Sequence, residues 1–286
     1  MRCLITGAYG FLGTPLSMFL RESGHEVFRH GRGAGAEISC DLADAEAFAR
    51  LVVDLAPDAI INLAAATDVD ACEAVPGHAF AANVGVVETI VRGLGGRPCS
   101  HLVHISTDQV YGGPGPHRED CVSPANVYGI TKYVGELVAA AAGGTILRTN
   151  FVGRSGVAGR ASLSDWIVGA LRERRPITLF GDVFFSPLHV SSLCRFVELA
   201  AERRIPGVFN LGARGGVSKA DFGLRLATLL GLDSTAVSIG SVADVDLKAK
   251  RPLDMTMQVD RFAEAFGCSL PTVGDEIRIV AEDYGD

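Results

Sequence analysis

Several common protein classes are excluded by what the sequence lacks. Its seven cysteines, Cys3, Cys40, Cys72, Cys99, Cys121, Cys194 and Cys268, are odd in number and contain no Cys-x-x-Cys pair, which argues against a disulfide framework and a zinc knuckle. They read instead as small, mostly buried hydrophobes of a reducing compartment. Basic residues are outnumbered, 26 against 33 acidic ones for a net charge of -7, so the concentrated basic surface that grips nucleic acid is missing. No apolar run has membrane-spanning length and no cleavable leader precedes the first strand, so no membrane partner is expected and the chain is expected to be cytoplasmic. Neither an internal repeat nor a low-complexity tract is present. What remains is 286 residues, 48% hydrophobic and 21% charged, enough for one large core or two unequal domains.

Short apolar runs alternate with amphipathic stretches. Residues 2–6, 25–29, 37–40, 59–63, 101–106 and 145–149 read as strands. Residues 11–22, 44–55, a long segment through Phe80, Val84, Val87 and Val91, and 128–142 read as helices. The alternation predicts an α/β fold, a doubly wound, Rossmann-like parallel sheet with a smaller C-terminal substrate domain. Residues 1–150 are expected to bind a dinucleotide and 151–286 mainly the substrate, part of 189–217 returning to the sheet. In that second half, strands are predicted at 177–180, 208–211 and 237–239, and helices near 190–203, 219–231 and 272–283. The glycine- and proline-rich run 112–116 is predicted to be a mobile loop near the active site.

The first strand runs into Gly7-Ala8-Tyr9-Gly10-Phe11-Leu12-Gly13. Glycines here let the backbone turn tightly and approach a pyrophosphate, and the helix that follows offers unpaired N–H groups. The Gly-x-x-Gly-x-x-Gly spacing is one residue wider than the best-known fingerprint, but its place at the first strand-to-helix junction gives it a dinucleotide meaning. The second strand ends Phe28-Arg29-His30-Gly31-Arg32, with no carboxylate for ribose hydroxyls and two arginines for a 2'-phosphate. NADP(H) is therefore the expected cofactor and NAD(H) the alternative. Asp41 and Leu42 are placed to flank the adenine, unless Asp41 caps the next helix.

Tyr128-Gly129-Ile130-Thr131-Lys132 puts a phenol and an ammonium at i and i+4 on one helical face. A ketone receiving hydride needs a proton, and a phenol near pKa 10 is a sluggish donor unless a cation lowers that value. Lys132 is expected to do so and to hold the nicotinamide ribose. Thr107, in the Ser106-Thr107-Asp108 turn after a strand, is the hydroxyl expected at the developing oxyanion.

Together with Asn62-Leu63-Ala64-Ala65-Ala66 and Asn83, these motifs resemble the extended short-chain dehydrogenase/reductase superfamily over the first 150 residues. The resemblance implies that Thr107, Tyr128 and Lys132 are catalytic and that Asn83 braces the active site. It also implies a cofactor site built from Gly7, Tyr9, Gly10, Phe11, Leu12, Gly13, Arg29, His30, Arg32, Asp41, Leu42, Ala64, Ala65, Ala66, Asn83, Ser106, Tyr128 and Lys132. Within the superfamily the chain is most similar to the dTDP-4-dehydrorhamnose reductases, through Ile105 to Tyr111, Tyr128 to Lys132, Ile146 to Thr149 and Lys250-Arg251-Pro252. That likeness implies reduction of the 4-keto group of a nucleotide-linked deoxysugar, with substrate contacts from Thr67, Val69, Asp108, Gln109, Asn150, Phe151, His189 and Arg251. A homodimer is a possible assembly, and no metal site is expected.

The chain departs from that family's pattern at Gln109, at Asn150-Phe151 and across 180–190, where sugar and nucleotide bind. An epimerase or 4,6-dehydratase of the same superfamily is the alternative enzyme, though Gln109 stands where dehydratases carry an acid and an amide cannot replace it. A regulatory subunit resembling the partner of methionine adenosyltransferase is the non-catalytic alternative. His189 has a capping explanation besides substrate contact, and Arg251 a solvated one besides a phosphate. Arg148 reads as a structural pair below the site, Asp68, Asp70 and Glu73 as helix-start charge, and Ser218 as the cap of the helix that opens Lys219-Ala220-Asp221.

Overall fold

The computed structural model describes residues 1–33, 35–95 and 100–285, so Cys99 lies outside the described residues. The elements of the first half are β1 (Arg2–Thr6), α1 (Gly13–Glu22), β2 (Glu26–Gly31), β3 (Ile38–Ser39), α2 (Ala45–Leu55), β4 (Ala59–Asn62), α3 (Val69–Ala74), α4 (Pro76–Phe80), α5 (Val86–Leu94), β5 (His101–Thr107), α6 (Val127–Ala141) and β6 (Thr145–Thr149). The second half adds β7 (Phe151–Val152), α7 (Leu163–Arg172), β8 (Ile177–Phe180), β9 (Phe184–Phe185), β10 (Leu188–His189), α8 (Val190–Arg203), β11 (Gly207–Leu211), β12 (Val217–Ser218), α9 (Lys219–Leu229), β13 (Val237–Gly240), α10 (Asp260–Phe266) and α11 (Val273–Glu282).

Seven parallel strands form the central sheet in the order β11-β6-β5-β4-β1-β2-β3. Strand alternation divides its apolar residues between two faces. Leu4, Ile60, Leu102 and Ile146 meet Phe48 and Val52 of α2, Val87 and Ile90 of α5, and Ala139 of α6. Cys3, Ile5, Ile61, Val103 and Leu147 share the larger core with Leu16 and Leu20 of α1 and with Leu193 and Val197 of α8. Both faces are covered, which explains why the central strands are continuously apolar. β11 comes from the second half and pairs with β6, so the chain crosses back into the sheet. The remaining short strands pair as β7 with β10, β8 with β13 and β9 with β12.

The long helical segment after β4 is not one helix. Pro76, which has no N–H to donate, starts a new helix after α3, and a five-residue π-helical turn at Ala81–Gly85 separates α4 from α5. That turn carries Asn83, whose amide accepts from Ala66 N (2.8 Å) and donates to Ala66 O (3.2 Å) and Thr131 Oγ1 (3.0 Å). Helix α6 then lies close against it: a Cβ on Gly135 would stand 2.4 Å from Asn83 O, and one on Gly129 2.3 Å from Gln109 O. Only hydrogen at these two positions permits the approach.

Under α6, Arg148 is buried and donates to both carboxylate oxygens of Glu136 (2.7–3.0 Å), to Tyr111 Oη (2.8 Å) and to Glu119 O (2.7 Å). Tyr111 in turn donates to Asn210 Oδ1 on β11 at 2.5 Å. The loop 112–116 differs from its expectation: Gly115 N donates to Asp254 Oδ2 (2.8 Å) and His117 N to Thr256 O (2.8 Å), and the loop lies outside the lining of the main cleft. The six described cysteines are free, with Cys3, Cys72 and Cys194 buried, Cys40 and Cys268 half-buried and Cys121 exposed. Among the described residues no helix is long and apolar enough to cross a membrane.

Candidate active site

A cleft of about 1270 Å³ opens over the carboxyl ends of β1, β4, β5 and β6. Its floor begins at the glycine turn. Gly7 has a left-handed backbone (φ 73°), and a Cβ there would stand 2.9 Å from Ala64 N, while one on Gly13 would stand 2.5 Å from Gly7 O. Side chains are thus excluded where a dinucleotide's backbone must come close. Helix α1 has no side-chain cap and no acid in its first turn, so its N-terminal donors face no competing carboxylate. Tyr9, Gly10, Phe11 and Leu12 line the cleft with the two flanking glycines.

The end of β2 separates the two arginines. Arg32 is exposed and lines the cleft, but Arg29 lies outside it, stacked 4.2 Å over the Tyr9 ring. Strand alternation sends neighbouring side chains to opposite faces, so His30 turns away from Arg29 and lines the cleft. Its buried ring bonds Cys40 O at 2.8 Å, and burial holds its pKa below the usual histidine value. Asp41 and Leu42 line the far end with Glu88 and Arg92, which the sequence reading passed over. The cap of α2 is Asp44, whose carboxylate accepts from Glu46 N and Ala47 N; Asp41 instead accepts from Ala43 N.

Ala64, Ala65 and Ala66 line the cleft, Ala64 packed directly against the glycine turn. Asn62 Oδ1 accepts from Thr6 Oγ1 (2.6 Å) and Ala64 N (3.1 Å), which fixes the start of that stretch. Asn83 holds Ala66 from behind and is itself outside the cleft, a correction to its expected cofactor contact.

Thr107, Tyr128 and Lys132 meet at the other end, all lining the cleft and all buried. Lys132 Nζ donates to Ile105 O at 2.7 Å, and burial lowers its pKa to about 8, opposed by the charge of Glu136. Burial raises the Tyr128 phenol to about 12, and a hydrogen bond with Thr107 only partly offsets this. The expected lowering of the phenol by Lys132 is therefore corrected: desolvation dominates, and Tyr128 is a fully protonated donor. Thr107 Oγ1 accepts from Gln109 N (3.2 Å) and bonds Asp108 Oδ1 (3.3 Å). Asp108 also accepts from Asn150 Nδ2 (2.8 Å), and burial raises its carboxyl to about 6. Ser106 lines the cleft and donates to Glu136.

Of the expected substrate residues, Thr67, Asp108, Gln109, Asn150 and Phe151 line this cleft. Val69 does not; it packs beside Cys72 and Tyr128. His189 is corrected outright. It caps α8 through Ser191 (2.7 Å to Oγ), its other ring nitrogen meets Asp283 at 2.9 Å, and the buried ring lies outside the cleft. Arg251 pairs with Asp70 (2.8 Å) and lines a second cavity of about 200 Å³ with Lys219, Gln109, Phe180, Val183 and Met255. Asp68 caps α3, Ser218 caps α9, and Glu73 accepts from Val127 N at 3.0 Å. Lys219, which the sequence reads only as the start of a capped helix, lines the second cavity, and Arg160, which no local motif marks, lines the cleft; each reaches its cavity from a distant segment.

Hydride transfer at an oxygen-bearing carbon is the chemistry this arrangement suits. With the doubly wound sheet, it places the chain among NAD(P)-dependent oxidoreductases of the short-chain dehydrogenase/reductase type. Comparison with known proteins narrows the class. The chain is 28% identical to the probable low-salt glycan biosynthesis reductase of Haloferax volcanii, covering 100% of this chain and 99% of that relative. It is 30% identical to the dTDP-4-dehydrorhamnose reductase of Burkholderia thailandensis over 95% of each. The solved dTDP-4-dehydrorhamnose reductase of Bacillus anthracis, in complex with NADP, shares the fold with a TM-score of 0.86 at 23% identity, covering 98% of this chain and 96% of that one. The chain belongs to the family described as RmlD substrate binding domain, whose model matches residues 1–285.

Proposed function

We propose that the protein reduces the 4-keto group of a nucleotide-linked deoxysugar, using NADPH in preference to NADH. One observation carries the substrate class. Gln109 borders both the catalytic cleft and the second cavity, which sets Lys219 and Arg251 among Phe180, Val183, Val242, Leu247, Pro252 and Met255. Two cations in apolar surroundings suit a diphosphate attached to a base, with the sugar left at Tyr128. The names of the relatives agree with this reading. An amide at position 109 disfavours elimination of water, the chemistry of the alternative enzyme.

The cleft fits the cofactor by its own features: the cradle that side chains at Gly7 and Gly13 would fill, and Arg32 with no carboxylate at the end of β2. When bound, the dinucleotide supplies hydride. Tyr128 donates its proton to the carbonyl oxygen, Thr107 positions that oxygen by hydrogen bonding, and Lys132, held by Ile105 O, presents a cation to the same cleft. Water is kept from these groups by their burial.

The test is cofactor oxidation across a panel of nucleotide-linked 4-ketosugars with NADPH and NADH in parallel. We expect turnover with at least one sugar and a roughly 10²- to 10⁴-fold loss in Tyr128→Phe, with NADPH binding retained. Failure on every ketosugar would favour a regulatory role, and release of water from a nucleotide hexose without added reductant would sink the reductase reading.

A further inference from the structure

The basic groups along the cleft are unevenly placed. Lys132 lies at the catalytic end, while Arg32 follows β2 and Arg92 stands on α5. The glycine turn, where a dinucleotide carries its pyrophosphate, reads Gly-Ala-Tyr-Gly-Phe-Leu-Gly and has no basic residue of its own. Backbone donors and the helix dipole offset only part of a pyrophosphate's charge there.

Arg160 arrives at that point from the second half of the chain. Its Nη1 lies 3.7 Å from where a Cβ on Gly10 would stand, and its Nη2 donates to Thr67 Oγ1 at 3.0 Å. The guanidinium thus crosses the mouth of the cleft, from the glycine turn to the loop after β4. Its side-chain partner is a neutral hydroxyl, and no carboxylate among the described residues forms an ion pair with it. An exposed arginine over a phosphate-binding turn, bonded to a threonine hydroxyl, has further donors to give to an anion.

The loop that carries it is fixed at its base. Ser162 and Ser164 both donate to Gly153 O (2.6 and 3.2 Å), and Asp165 accepts from Ser155 N (3.0 Å) and Ser162 N (2.8 Å). Between these anchors stand Gly156 and Gly159, around which there is open space. The tip can therefore adjust while its base holds register.

We infer that Arg160 clamps the cofactor's pyrophosphate across the glycine turn, exchanging the Thr67 hydroxyl for phosphate oxygens and laying the 153–162 loop over the dinucleotide. The inference rests on the dinucleotide reading of the cleft and not on the identity of the sugar. It gives the second half of the chain a part in cofactor binding as well as substrate binding. A planar fork suits two phosphate oxygens, so lysine is an incomplete substitute.

Equilibrium binding in the absence of any ketone tests it, using Arg160→Ala, Arg160→Lys and Arg32→Ala with NADPH, NADH and adenosine 2'-phosphate, which has no pyrophosphate. Arg160→Ala is expected to raise Kd for both dinucleotides by the same factor, on the order of 10-fold or more. Its Kd for adenosine 2'-phosphate should stay within about 2-fold of wild type, because that ligand makes no pyrophosphate contact. Arg160→Lys should recover part of the loss, and Arg32→Ala should show the opposite pattern, weakening NADPH and adenosine 2'-phosphate while sparing NADH. The clamp is overturned if Arg160→Ala changes dinucleotide Kd by less than about 2-fold, or weakens adenosine 2'-phosphate equally. Absence of ketosugar turnover with this binding pattern intact would count against the proposed substrate alone, whereas wild-type protein binding neither dinucleotide would overturn the clamp with the cofactor reading.

Discussion

At the scale of single residues, burial governs the protonation of the cleft groups Tyr128, Lys132 and Asp108 more than charge pairing does. Tyr128, Lys132 and Asp108 are each displaced from their ordinary pKa toward the neutral form, to about 12, about 8 and about 6. Desolvation is the largest cause in all three, as expected where a low-dielectric pocket penalises ions. The consequence for pH is specific. Tyr128 keeps its proton throughout the working range, but Lys132 is a cation below about 8 and loses its charge above it. Reductive kcat/KM is therefore expected to fall as pH rises through about 8, and Lys132→Met should abolish that limb along with most activity. A pH–rate profile of the two proteins checks this; a wild-type profile flat to pH 10 would remove the lysine's charge from the mechanism.

At the scale of elements, the site depends on how α6 is seated. Asn83 and the glycines at 129 and 135 let the helix approach the Ala66 wall and the Thr107 turn, while Arg148 joins it from below to β6 and β11. The Arg148–Glu136 pair is almost fully buried, 2% and 1% exposed, so removing one partner strands an uncompensated charge. Arg148→Met should destabilise the protein by about 3–5 kcal/mol, and the double variant Arg148→Met/Glu136→Gln by clearly less. Denaturant unfolding of both variants measures the difference. Much at this scale was legible in advance: the strand and helix alternation of the first half, the i, i+4 relation of Tyr128 and Lys132, and the cap at Ser218. The break of the α3–α5 segment was not, because its π-helical turn arises from packing Asn83 against Ala66 and Thr131, contacts 17 and 48 residues away.

At the scale of the whole molecule, distant segments of the chain meet at the second cavity. Asp70 on α3 holds Ala249 N and Arg251, and Asn126 at the start of α6 holds Lys250 O (2.9 Å), so the 249–251 segment is tied to α3 and α6 beside the second cavity. Lys219, opposite it, is expected to bind the diphosphate: Lys219→Gln should raise KM for the nucleotide-linked substrate about 10-fold while leaving NADPH affinity unchanged. Steady-state kinetics beside direct cofactor binding separates the two effects, and an equal loss in both would place Lys219 in a structural role instead. By itself the sequence determined the doubly wound sheet, the glycine turn and the Tyr128–Lys132 relation, because hydrophobic period, backbone freedom and helical spacing act between near neighbours. Tertiary structure alone decided that Arg29 stacks on Tyr9, that His189 caps a helix, and that Arg160 and Lys219 reach the two cavities, since each outcome depends on which face a side chain leaves from and what distant segment lies there.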